Sequence, residues 1–184
     1  MTETTDPRLV WAGKLADQVE RQINGRRLAA HLFARLTVLL HAEELQFVQV
    51  TTEINRHFVE SGDLRVWTNR HLAIVRYDNV AISGPGMRPS TLDNHSESTV
   101  DVKLVPRSAL RGIAVPATAP DGTPVNDGSS WNSEINDGNW SWPMWGTLIL
   151  TYDGLDQPLA LPGKGDVDAL NRMIPSLLDD LAAS

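Results

Sequence analysis

Apolar residues recur along the first forty positions with the period of a helix. Leu15, Val19 and Ile23 fall every four residues from Lys14 onward, with charged residues between them. Asn24-Gly25 marks a stop or a bend. A second helix is expected over about 26–40, where Leu28, Leu32, Phe33, Leu36, Leu39 and Leu40 share one face. Such a stripe either packs on a core or docks a partner, a second copy of the chain included. Residues 1–7 read as a polar tail. After Glu44 the period shortens to two. Strands are expected at Leu45–Ile54, Leu64–Thr68 and His71–Tyr77, with a polar turn at Ser61-Gly62-Asp63 and a two-residue hairpin at Asn69-Arg70. Further strands are expected at Thr99–Val105, Ala109–Val115, Trp145–Tyr152 and Pro158–Leu161. The chain closes on a helix from about Asp166 to Leu181. Val167, Leu170, Ile174, Leu177, Leu178 and Leu181 form its stripe, and Pro175 is expected to bend it.

Two stretches interrupt this order. Residues 83–98 are loop-like, broken by Gly84-Pro85-Gly86 and Pro89. Residues 116–144 form an insertion in which 20 of 29 residues are Pro, Gly, Ser, Thr, Asn or Asp. Its turn signals Asn126-Asp127-Gly128 and Asn136-Asp137-Gly138 bracket a short strand or hairpin near Trp131–Ile135. Four of the six tryptophans, Trp131, Trp140, Trp142 and Trp145, crowd into this region and its edge. They either pin the insertion to the domain or form an exposed patch that binds a peptide or a sugar ring.

Composition narrows the function more than the fold. The 184 residues carry a formal charge of −7, which excludes a generally basic nucleic-acid binder. There is no cysteine, hence no disulfide framework, thiol nucleophile or zinc-thiolate site. No basic n-region precedes an apolar stretch, and no apolar run is long enough to span a bilayer. A cytoplasmic location is the expectation. The charge is uneven, since residues 116–184 hold ten acids against two bases. That suggests solubility, or a basic protein partner, before it suggests lipid.

Three segments resemble the bacterial pleckstrin-homology-like (PH-like) domain, over about residues 45–184. Gly62–Val75 carries Thr68-Asn69-Arg70-His71-Leu72, similar to the T-(N/D)-(K/R)-x-L hairpin of these domains. Val105-Pro106-Arg107-Ser108-Ala109-Leu110-Arg111-Gly112-Ile113 is similar to their I-P-hydroxyl-x-I strand junction. Gly146–Leu161 and the helix after it look like the closing hairpin and cap. The resemblance implies an α+β, mainly β fold: a partly open seven-stranded antiparallel barrel or sandwich capped by the C-terminal helix, with one or two N-terminal helices added. It divides the chain into a tail with helices at 1–44 and a PH-like domain at 45–184. An amphipathic helix covering the open corner of twisted sheets is physically sensible in itself.

Candidate chemistry is sparse. The histidines His31, His41, His57, His71 and His95 form no metal-binding spacing, and no metal or other cofactor is expected. His41 with Glu43-Glu44 reads as a solvated helix end. No G-x-S-x-G elbow or phosphate loop is present, and Asp93, His95 and Ser96 read as a polar loop, so no catalytic residue is assigned. In lipid-binding PH-like domains, basic residues on the first strand pair grip phosphates. Arg56 and His57 hold that place here, but Glu53, Glu60 and Asp63 surround them, which disfavours strong binding to anionic membranes. The expectation is therefore a non-enzymatic binding module for protein–protein interaction or self-association. Its candidate binding residues are Trp131, Trp140, Trp142, Trp145, Arg56 and His57. The alternative is a small-molecule or carbohydrate binder using the Trp-rich insertion.

Overall fold

A computed structural model gives the architecture. It describes residues 6–41, 43–54, 59–84, 98–118, 122–126, 135–136, 139–140, 146–162 and 167–183. The fold is α+β, with three helices and antiparallel sheets of five and three strands, and the chain divides into compact units at Met1–Val105 and Pro106–Ser184.

The first unit begins with α1 (Pro7–Gln22). Asp6 caps it by accepting from Arg8 N at 2.9 Å, and Pro7 starts the first turn, where its missing N–H costs nothing. Residues 6 and 7 thus belong to a helix start and not to the expected tail. The second expected helix is shortened. Arg27–Leu28 form a brief strand, β1, and α2 runs over Ala30–Leu40. Strands β2 (Leu45–Ile54), β3 (Val59–Thr68) and β4 (His71–Ser83) follow as a meander. The sheet order is β1-β4-β3-β2, and β5 (Thr99–Pro106) also pairs with β4. The pairing Trp67↔Leu72 closes the β3–β4 hairpin around Asn69-Arg70, as expected.

The expected turn at Ser61-Gly62-Asp63 is instead inside β3. Gly62 serves close approach, not reversal. It pairs with Thr52 on one side and Tyr77 on the other, and a Cβ there would lie 2.0 Å from the Thr51 carbonyl oxygen. The register of β3 against β4 shifts between Glu60 and Gly62, and Asn79 takes a positive φ of 53° beside this bulge.

The core of this unit explains the helices. Trp11, Leu15, Val19 and Ile23 from α1 and Leu32, Phe33, Leu36 and Leu40 from α2 pack with Val48, Leu64, Val66, Val75, Tyr77 and Val80. Alternation along β3 and β4 directs these strand residues to one face. On the other face Phe47 and Trp67 are also buried, with ring centroids 5.6 Å apart. The outer edge of β2 is partly closed by a side chain. The Gln22 amide donates to the Val48 carbonyl at 2.7 Å and accepts from Val50 N at 3.1 Å, as a neighbouring strand would.

The second unit holds a one-turn 3₁₀ helix (Arg107–Ala109), β6 (Leu110–Ala114), β9 (Thr147–Tyr152), β10 (Leu159–Pro162) and α3 (Val167–Ala183). The sheet order is β10-β9-β6. Pro175 lies within α3. Arg107 is buried and ties the 3₁₀ turn to α3, donating through Nε to Asp180 at 2.7 Å and through Nη2 to Ser176 at 2.8 Å. Within the insertion, β7 (Ile135–Asn136) and β8 (Asn139–Trp140) pair antiparallel, Ile135 with Trp140 and Asn136 with Asn139. Asn126 fastens the start of the insertion to β9: its amide donates to the Thr147 carbonyl at 2.9 Å and accepts from Thr147 N at 2.7 Å. Among the described residues, no helix is long and apolar enough to cross a membrane.

Candidate interaction surface

The corner between α1 and α2 is short, so the helices return on each other. Trp11 near the start of α1 donates through Nε1 to the Glu43 carbonyl at 2.8 Å, just beyond the end of α2. The first turn of α1 therefore lies at the same end as the last turn of α2. That end exposes four large apolar side chains. Leu9 is 68% exposed, Val10 44%, Val38 77% and Leu39 46%. Among the described residues, only Val115 and Leu178 are comparable exposed large hydrophobics. Single exposed apolar residues are ordinary, and these four fall on the first turn of α1 and the last turn of α2. The Arg8 guanidinium flanks them and hydrogen-bonds Asp6, holding that carboxyl below the usual range. A separate groove of about 430 Å³ lies beside the start of α2, lined by apolar residues such as Ala16, Ala29 and Phe33 and by the polar Asp17, Arg27 and Ser83.

Sequence reading placed part of this surface and missed the rest. Leu28, Leu32, Phe33, Leu36 and Leu40 of the apolar stripe are buried, and only Leu39 is left open. Leu9 and Val10 fell near the assumed tail. Val38 lies off the stripe among Ala34 and Arg35, and an apolar residue on a polar helix face was the available signal.

Two polar clusters sit at the ends of the β3–β4 pair. At the hairpin end, Glu43 is buried. Its Oε1 lies 2.7 Å from His71 Nδ1, and its Oε2 accepts from the Thr68 hydroxyl. Asn69 N donates to the Glu44 carbonyl at 3.0 Å, and Asn69 Oδ1 accepts from Glu44 N at 3.2 Å. The expected solvated helix end is thus corrected at Glu43. Its carboxylate straps the α2–β2 junction to the hairpin, while His41 and Glu44 are exposed. Thr68, Asn69 and His71 hold positions that fix this strap. At the opposite end Arg26 pairs with Glu60, whose side chain is fully buried. Burial raises the pKa of Glu60, and Arg26 opposes this only in part. Among the described residues, no group of three or more His, Asp or Glu side chains could hold a metal ion.

Of the sequence-derived binding residues, Trp131, Trp142, Trp145, Arg56 and His57 lie outside the described residues. Trp140 is placed only through its backbone in β8. The polar loop with Asp93, His95 and Ser96 lies outside them too. No family model, no curated protein and no solved structure matches this chain.

Proposed function

We propose that this chain is a non-enzymatic binding module of PH-like type that works through protein–protein contact, and that it associates with a second copy of itself through the open end of the α1–α2 pair. The exposed apolar group of Leu9, Val10, Val38 and Leu39 carries the reading. It lies on the two helices outside the PH-like pattern, where a function particular to this chain would be added. A two-fold contact would set each patch against its own image, so one surface supplies both sides. The polar clusters support a binding role over a catalytic one. Both carboxylate oxygens of Glu43 are engaged in holding the hairpin, and Arg26 is spread over three structural elements.

Sedimentation velocity over a wide concentration range tests this. Wild-type chain should show a concentration-dependent dimer. A Leu9→Glu/Val38→Glu variant should stay monomeric with an unchanged unfolding midpoint, because both positions are exposed. A wild-type chain that is monomeric throughout, or a variant that dimerises equally well, contradicts the reading.

A further inference from the structure

The inner face of β2–β4 is apolar for most of its length and turns polar at one end. Arg26 reaches there from the corner after α1. Its Nε donates to the Ile23 carbonyl at 2.8 Å, its Nη1 to Glu60 Oε1, and its Nη2 to Thr52 Oγ1 at 3.4 Å. One guanidinium thus joins the end of α1, β2 and β3. Two oxygens beside it are buried without a hydrogen-bond partner among the described residues, Glu60 Oε2 and Tyr77 Oη. A buried polar atom left without a partner is costly, and native structures satisfy nearly all of them.

The two oxygens belong to one locality. Glu60 and Gly62 are two residues apart on β3, on either side of its register shift, and Gly62 pairs with Tyr77. The Tyr77 hydroxyl lies over Gly62, where a Cβ would come within 3.0 Å of Oη. Burial raises the pKa of the Tyr77 hydroxyl, and the Glu60 carboxylate adds to the effect, with Asp63 behind it and Arg26 opposing. The missing partner must be polar, because an apolar group would satisfy neither oxygen. A metal cation is disfavoured by the adjacent Arg26 charge. A water has both the donors and the acceptors required, and buried waters occur where otherwise unpaired polar groups converge.

We propose that Glu60 and Tyr77 form a built site for one internal water, which accepts from the Tyr77 hydroxyl and donates to Glu60 Oε2 beside the Arg26 guanidinium. The water completes the shell of a carboxylate that Arg26 satisfies on one side only. It makes this end of the sheet a wet, ordered anchor for the corner between α1 and α2.

A high-resolution crystal structure of the full wild-type chain tests the site directly. The expected result is an ordered water within hydrogen-bonding distance of both oxygens. Direct contact between Oη and Oε2, or no water between them, overturns the proposal. A double-mutant cycle with Tyr77→Phe and Glu60→Gln adds a solution readout. Shared water predicts that the effects on the urea midpoint do not add, and strict additivity counts against it. If a variant fails to fold, the wild-type structure alone decides.

Discussion

Glu43 and Glu60 are both buried glutamates of the first unit, and they are held in different ways. Glu43 at the hairpin end has a partner on each oxygen, His71 on Oε1 and the Thr68 hydroxyl on Oε2. Glu60 at the other end has Arg26 on one oxygen and none on the second among the described residues. The first carboxylate acts as a strap between two segments of backbone. The second is a charge that the fold tolerates under a single guanidinium. Burying a carboxylate is thus neither stabilising nor destabilising by itself; the number of its lone pairs that are met decides.

Closing the space at the Glu60 end should have the largest effect. Gly62→Ala should cost about 3 kcal/mol in urea unfolding, because the new Cβ meets the Thr51 backbone, which cannot swing away as a flexible side chain would. A loss below about 1 kcal/mol would show that β2 and β3 are not held this closely. At the hairpin end, Glu43→Ala should cost about 2–4 kcal/mol, since it strips the acceptor from both His71 and Thr68.

Glu60→Gln separates charge from shape. Burial lifts the native pKa of Glu60 above its ordinary 4.5, so the folded chain binds the proton more tightly than the unfolded one. The stability this group contributes is therefore full below 4.5 and declines as pH rises through the raised native value. The wild type should lose stability relative to Glu60→Gln across that window. Parallel denaturation curves at every pH would contradict the assignment. The smallest effect has the opposite sign. Gly13 lies inside α1 with nothing within 4 Å of a Cβ, so Gly13→Ala should stabilise by about 0.5–1 kcal/mol, read as a raised melting temperature.

These two glycines also show what the sequence makes legible. Period and turn chemistry place α2, β2, the Asn69-Arg70 hairpin and α3 within a few residues, because one buried face dictates each pattern. Ser61-Gly62-Asp63 has the composition of a turn yet forms the middle of a sandwiched strand. Glycine there answers to a carbonyl and a tyrosine that the local sequence does not reveal. Glu43 looks solvated beside Glu44 for the same reason, since its partners lie 25 and 28 residues away. The exposed end of the helix pair arises only when the start of α1 returns to the end of α2. No window of sequence contains both.

A methyl NMR dilution series of the wild-type chain tests self-association through the helix pair. Self-association through the helix pair predicts concentration-dependent shifts concentrated at the methyls of Leu9, Val10, Val38 and Leu39, with the buried methyls of Leu64 and Val66 unmoved. Shifts absent from these four residues, or concentrated on another surface, would contradict it.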